Sequence, residues 1–143
     1  MQYLASRTAN SLWPNDERVR ADITRWQSWQ LAHWSKESCE PLIFQRLVKR
    51  LLQLGPPDAE VVAKGTECFK RDARVLDAHL AKQPYLVETG LTLADFSIAA
   101  PLFYTEQAEL PVAPYQHLQN WFARISALPA WRDTSPAPAP AAA

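Results

Sequence analysis

The chain has 143 residues, a length that suits a single domain, and its 48% hydrophobic and 21% charged content excludes a disordered protein. Basic and acidic residues balance to a formal net charge of zero, so the composition predicts neither a nucleic-acid partner nor an acidic membrane partner. The sequence contains neither an apolar stretch long enough to span a membrane nor a signal-peptide pattern, which predicts a cytoplasmic protein.

Turn-forming glycines are scarce, because only residues 55, 65 and 90 are glycine. A β-rich or doubly wound fold needs more of them, and a glycine-rich phosphate loop cannot be built from these positions. Twelve prolines stand mostly between long periodic runs. Prolines at these positions are expected to separate helices, so we predict an all-α fold, a bundle of about five helices.

The first long helix is predicted from about Glu17 to about Ser38, after a connector that contains Trp13 and Pro14. Asn15 or Asp16 can cap it. One broad face carries a mostly aromatic set of side chains: Ile23, Trp26, Trp29, His33 and Trp34. Pro41 is expected to kink or restart the helix, and a second stretch then continues to about Leu54, before Gly55.

The next helix is predicted over residues 58–81, with Asp58 as its cap. Gly65 lies inside its apolar stripe. A glycine there either allows a neighbouring helix to approach closely or marks a weak, fraying turn.

A capping box opens the following helix, because Thr92 is followed three residues later by Asp95. Leu91 and Phe96 occupy the positions of a hydrophobic staple. The segment 92–107 is apolar on nearly all sides, so we place it at the centre of the bundle.

A last amphipathic helix is marked by apolar residues at helical spacing, and Pro129 is expected to end it. Trp121 lies beside its stripe, which comprises Tyr115, Leu118, Phe122 and Ile125. Residues 134–143 are a Pro/Ala-rich tail, for which we expect disorder or an extended conformation.

The order and spacing of these features resemble the C-terminal domain of the glutathione transferase family, in particular of bacterial members. The matching segments, in chain order, are Tyr3-Leu4-Ala5, Leu12-Trp13-Pro14, Gly90, Thr92-Leu93-Ala94-Asp95, Tyr115 to Trp121 and Ala127 to Trp131. By this resemblance, residues 1–14 are the remnant and linker of a preceding thioredoxin-like domain, and residues 15–133 are the helical domain.

The resemblance also implies a function and its partners. In the family, glutathione is a co-substrate held mainly by the thioredoxin-like domain, and the helical domain lines the pocket for a hydrophobic electrophile. The residues before the first long helix are too few for a βαβ unit, so we expect this chain alone to bind no cofactor. The chain is then a portion of a longer protein, a shortened product, or one that a partner chain completes. Family members usually form homodimers, and the resemblance extends this expectation to the present chain.

Candidate cleft residues also follow from the resemblance, since the first helix of the family's helical domain faces the substrate. They are His33, Trp34, Glu37 and, on the central helix, Tyr104. For the aromatic residues, core packing is the alternative, and periodicity does not decide which tryptophan faces the cleft. Thr92 and Asp95 are interpreted as a structural cap.

No catalytic residue and no metal site is predicted within the chain. Cys39 and Cys68 match no zinc or redox spacing, and the three histidines stand on different predicted helices. A second hypothesis for the function is a non-catalytic helical module for protein–protein interaction, with its tryptophan-rich surface as the docking site.

Overall fold

The computed structural model describes residues 1–134, and they form six helices. We label them α1 (Gln2–Ser6), α2 (residues 17–51), α3 (Ala59–Leu80), α4 (Leu93–Ala99), α5 (Gln116–Ser126) and α6 (Pro129–Thr134). In this part of the chain the extended structure is limited to one antiparallel bridge between Val87 and Gly90. The all-α prediction is therefore confirmed. No helix of the described part is long and apolar enough to cross a membrane.

Helix α2 is continuous, although its hydrogen-bond pattern changes along its length. Glu17–Trp29 and Glu40–Ile43 are α-helical, Gln30–Cys39 and Phe44–Val48 form the wider π turns, and Lys49–Leu51 is α-helical again. The N–H of Glu40, for example, donates to the carbonyl oxygen of Ser35, five residues earlier. Asp16 caps the start by accepting from the N–H groups of Arg18 and Val19.

Pro41 was expected to kink or restart the helix, and an α-helical segment does start there. Pro41 lies in the first turn of Glu40–Ile43, where a missing N–H and a fixed φ are tolerated, while the helix as a whole continues from residue 17 to residue 51. The predicted end of the helix was wrong, because it ends at Leu51 rather than near Leu54. Gln53 adopts a left-handed conformation (φ 54°), and the N–H of Leu54 then reaches back to the carbonyl of Lys49, as in a Schellman motif.

The close helix contact expected at Gly65 is present. A Cβ atom built on Gly65 would lie 3.3 Å from side-chain atoms of both Pro41 and Leu42, which are part of α2. Helix α3 therefore packs against α2 with almost no spacer at this crossing. Asp58 caps α3 as predicted, by accepting from the N–H groups of Glu60 and Val61.

The central position of α4 is confirmed by burial, since Ala94, Asp95, Ile98 and Ala99 have no exposed surface. The segment is shorter than predicted as an α-helix. Residues Ala100–Tyr104, which include Pro101, tighten into a 3₁₀-helix instead. Phe96, expected among the buried residues, is half-buried and packs on the edge of the core.

The last predicted helix is α5, and two details of it differ from expectation. Trp121 is fully buried, whereas Phe122 is only partly buried at the edge of the stripe. Helix α5 ends at Ser126, and Pro129 opens α6 as its first residue, a position where proline is favoured. The tail was predicted over residues 134–143. Thr134 is instead the last residue of α6, and residues 135–143 lie outside the described residues.

Candidate functional site

A chain of polar contacts joins α2 to α3 at the position of the candidate cleft. The carboxylate of Glu37 lies 3.6 Å from His33 Nδ1 and accepts a 2.8 Å hydrogen bond from Arg71 Nη2. Arg71 also pairs with Asp72 at 2.7 Å, and Asp72 in turn accepts from the buried Ser38 hydroxyl at 2.6 Å. The network thus runs from an exposed histidine to a buried carboxylate.

The electrostatic consequence is clearest at Glu37. The hydrogen bond from Arg71, with a smaller contribution from His33, holds the pKa of the Glu37 carboxyl below its ordinary value. Hydrogen bonds to Asp72, the largest cause, and to Glu37 raise the pKa of Arg71 above its ordinary value. The surface around residues 33 and 37 therefore carries an ionised carboxylate and a fixed guanidinium, both facing solvent.

Trp34, the third candidate on α2, lies in the core. Its side chain has no exposed surface, and its indole N–H donates to the carbonyl of Ile98 on α4 at 2.9 Å. The ring also lies 4.9 Å from that of Phe69, centroid to centroid. Trp34 therefore does not line a surface cleft of the described residues. Its role is to join α2, α3 and α4, which is the alternative that periodicity had left open.

Tyr104 occupies an intermediate position. It is half-buried, packs against the core, and its ring meets that of Phe103 edge to face at 5.2 Å. The 3₁₀ segment that carries it packs against residues 30–39 of α2. Of the four candidate cleft residues, the structure thus leaves His33 and Glu37 exposed and Tyr104 partly accessible on a neighbouring segment.

The capping box is a larger assembly than the sequence predicted. Asp95 accepts hydrogen bonds from the backbone N–H of Thr92 and the backbone N–H of Leu86, and from the indole N–H of Trp121, all at 2.9–3.0 Å. Burial raises the pKa of Asp95 above its ordinary value, and these donors oppose the rise. Thr92 completes the reciprocal cap on α4. Leu91 and Phe96, the staple pair, both pack against the core.

The N-terminal connector is tied to the same cap. The carbonyl of Leu12 accepts from the N–H of Leu93, the first residue of α4, at 3.1 Å. Asn10 holds the connector in shape, because its side-chain oxygen accepts from the N–H groups of Leu12 and Trp13.

An apolar surface that the sequence analysis missed lies on α1 and the adjoining part of α2. Tyr3, Leu4 and Leu31 are 71%, 72% and 68% exposed. A hollow of about 490 Å³ opens between the two helices. At its edge, the side-chain amide of Gln2 donates to that of Gln27, which in turn donates to the hydroxyl of Ser97. The available signal was Leu31, an apolar residue outside the tryptophan face of α2. We call Tyr3, Leu4 and Leu31 the α1 face.

Cys39, one of the two free cysteines, is unsuited to act as a nucleophile. Cys39 has no exposed surface, and its burial, with the nearby charges of Asp72 and Glu40, raises the pKa of the thiol well above its ordinary value. Among residues 1–134, no three metal-binding side chains come together.

Comparison with known proteins gives a consistent result. The family described as "Glutathione S-transferase, C-terminal domain" matches residues 39–129. Glutathione S-transferase 3 of Zea mays is 36% identical over 139 residues, which cover 93% of this chain and 61% of the maize protein. The FtsZ-localized protein A of Caulobacter vibrioides is 27% identical, over 96% of this chain and 62% of that protein.

Solved structures show the same fold. A glutathione S-transferase from Rhodospirillum rubrum F11 superposes with a TM-score of 0.83 at 24% identity, covering 94% of this chain and 62% of that one. The chain therefore spans only about three fifths of the length of the relatives it matches.

Proposed function

This chain belongs to the glutathione S-transferase family through its all-helical C-terminal domain, and we propose that it contributes the electrophile-binding side of a transferase cleft. Glutathione would be bound mainly by a thioredoxin-like domain, in the same protein or in a partner. That domain would lower the pKa of the glutathione thiol, and the thiolate would attack an electrophile held against the helices.

The observation that carries this proposal is the α1 face. Tyr3 and Leu31 line a hollow with hydrogen-bonding groups at its edge, and Leu4 follows Tyr3 on α1; each of these three large apolar side chains is more than two thirds exposed. Exposed apolar surface of this kind favours contact with another domain. A thioredoxin-like domain packed on the α1 face would bury these side chains and would lie next to α2, which carries His33 and Glu37.

Within the proposed cleft, the helical domain would supply shape and a polar edge rather than a reacting group. His33 and Glu37 are accessible, and Arg71 fixes the carboxylate of Glu37. Tyr104 would add a partly accessible aromatic ring. Trp34 would act only indirectly, by holding residues 30–39 against α4 through its bond to Ile98.

The first experiment is a calorimetric titration of the purified chain with reduced glutathione, together with a conjugation assay on a general electrophile. We expect neither saturable heat nor turnover. Fusion of the N-terminal domain of the Zea mays relative ahead of Met1 should then restore both. Saturable glutathione binding by the chain alone would contradict the proposal, because these helices would then form the thiol site unaided.

A matched pair of variants tests the α1 face in that fusion. Leu31→Glu should weaken the restored activity, whereas Leu52→Glu, a similarly exposed leucine near the end of α2, should leave it unchanged. Equal effects of the two substitutions would mean that the added domain does not pack on the α1 face. His33→Ala and Glu37→Gln should raise KM for the electrophile and leave KM for glutathione unchanged.

A homodimer in the cytoplasm is part of the same proposal. The apolar surface where α2 crosses α3 supports it: Phe44 is 45% exposed and Val61 38%, and both line a shallow hollow that includes Pro41 and Val48. This surface has the character of an interface between two copies.

The second candidate function is a non-catalytic interaction module. It is supported by the similarity to the FtsZ-localized protein A, a relative whose name describes a location rather than an enzymatic activity. In this case the α1 face would dock a protein rather than a catalytic domain. A fusion that binds glutathione but conjugates no electrophile would favour this alternative over the transferase.

A further inference from the structure

A partly open cavity of about 370 Å³ lies between the 3₁₀ segment after α4 and helix α5. Leu102 and Leu118 line it and are almost fully buried, while Phe103 and Phe122 are half-buried beside them. This volume is within the range of small-molecule sites, and it greatly exceeds the roughly 30 Å³ that one water molecule occupies. The lining shares no residue with the candidate cleft or the α1 face.

The backbone, rather than a missing side chain, creates this cavity. The central helix tightens into the 3₁₀ turn at Ala100–Tyr104, and Glu109 then adopts a left-handed conformation (φ 49°) that redirects the chain. The N–H of Leu110 returns to the carbonyl of Thr105, which closes the turn. The loop leading to α5 therefore passes beside the 3₁₀ segment and leaves an apolar space under Val112.

Two polar side chains of the lining, those of Thr105 and Gln119, have their hydrogen atoms already engaged. The Thr105 hydroxyl donates to the carbonyl of Leu102, and the amide nitrogen of Gln119 donates to the carbonyls of Val112 and Ala113. The side-chain oxygen of Gln107 is buried without a hydrogen-bond partner in the described part of the chain. Glu106, at the exposed rim, is the charged member of the lining. Apart from the amide nitrogen of Gln107, the polar groups that remain available accept hydrogen bonds, and the rim carries the negative charge of Glu106.

We propose that this cavity binds a small apolar molecule that carries a protonated amine, of the aralkylamine class. Its ring or alkyl part would lie against Leu102, Phe103 and Phe122, and its ammonium group would donate to the Glu106 carboxylate at the rim. Phe103 and Phe122 would add cation–π attraction. An anionic ligand of the same size would be repelled by the Glu106 carboxylate, so the site discriminates by charge. The inference is independent of the proposed transferase function.

The test uses two probes of matched size, 2-phenylethylamine and 3-phenylpropanoate, titrated into the full chain and followed by NMR and calorimetry. We expect the amine to bind saturably, with an affinity in the millimolar range or tighter, and to shift resonances of the cavity-lining residues. The acid should bind about tenfold more weakly. Absence of amine binding, or equal binding of the two probes, would overturn the proposal.

Variants locate the site. Ala123→Phe fills the cavity from the exposed side of α5 and should abolish amine binding, while Ala127→Phe, an exposed position outside the lining, should not change it. Glu106→Gln should weaken amine binding about two- to fivefold and leave acid binding unchanged or improved. Circular dichroism confirms that each variant is folded. Amine binding that survives Ala123→Phe would place the ligand elsewhere and refute the assignment.

Discussion

Replacing Asp95 with alanine should destabilise the protein far more than replacing Asp58, although both residues cap a helix through a carboxylate. Asp58 is exposed, and its two N–H partners at the start of α3 can form hydrogen bonds with water once the carboxylate is removed. Asp95 has no exposed surface, so its partners cannot. The comparison isolates the contribution of burial to the strength of a cap.

The expected magnitudes follow from the donors that each substitution leaves behind. Asp95→Ala strands three N–H groups, those of Leu86, Thr92 and the Trp121 indole. Each costs about 1–3 kcal/mol when buried and unpaired. Removing a desolvated carboxylate offsets part of this loss, so we expect the free energy of unfolding to fall by about 3–5 kcal/mol. Asp58→Ala should lower it by about 1 kcal/mol.

Urea unfolding followed by tryptophan fluorescence and by circular dichroism measures both variants. A loss of about 4 kcal/mol is a large share of the roughly 5–15 kcal/mol that holds a domain folded. If Asp95→Ala does not fold, Thr92→Ala provides a milder test of the same cap. Losses for Asp95→Ala and Asp58→Ala that agree within about 1 kcal/mol would refute the reasoning, because burial would then add nothing to the cap.

Four further outcomes are expected. Trp121→Phe should lower the free energy of unfolding by about 2 kcal/mol and raise the pKa of Asp95 further, since one donor to its charged form is lost; carboxyl NMR titration measures that pKa. Because the folded pKa of Asp95 already exceeds the unfolded one, its contribution to stability is fully present below the unfolded pKa. That contribution should decline as pH rises through the folded value, and urea unfolding across the acid range, with Asp95→Asn as reference, checks the sign. Gly65→Leu should cost about 1–3 kcal/mol by overpacking the α2–α3 crossing, measured by urea unfolding against an exposed Ala59→Leu control. Phe44→Glu should shift the protein to a monomer in sedimentation velocity while Lys64→Glu does not, and a monomeric wild type would contradict the proposed dimer.

Local signals in the sequence were sufficient for much of the fold. A cap depends on residues within one turn, so Asp58 and the Thr92–Asp95 box could be read directly and are found in place. The glycine at position 65 likewise allowed two interpretations, and the structure selects the close contact.

Other features depended on partners distant in sequence. The kink or restart expected at Pro41 assumed uniform α geometry. The π turns before it instead place the proline at the start of a new α-helical segment within one continuous helix. Trp121 was placed beside the apolar stripe of its helix, because periodicity does not reveal that a buried carboxylate on α4 accepts its indole hydrogen. For the same reason, the sequence left open whether Trp34 belongs to the core or to the cleft. Its hydrogen bond to the carbonyl of Ile98 shows that it belongs to the core.

The hydrogen bond between Leu12 and Leu93 has a practical consequence for where this domain can be cut. The first N–H groups of a helix have no partner within it, and at α4 one of them is satisfied from the connector, 81 positions earlier in the chain. A truncation that begins at the cap of α2 would leave all the later helices intact in sequence. It would nevertheless remove the carbonyl of Leu12, the acceptor for the N–H of Leu93 at the buried start of α4. The working boundary of the domain therefore lies before Asn10, which keeps the connector folded onto that end.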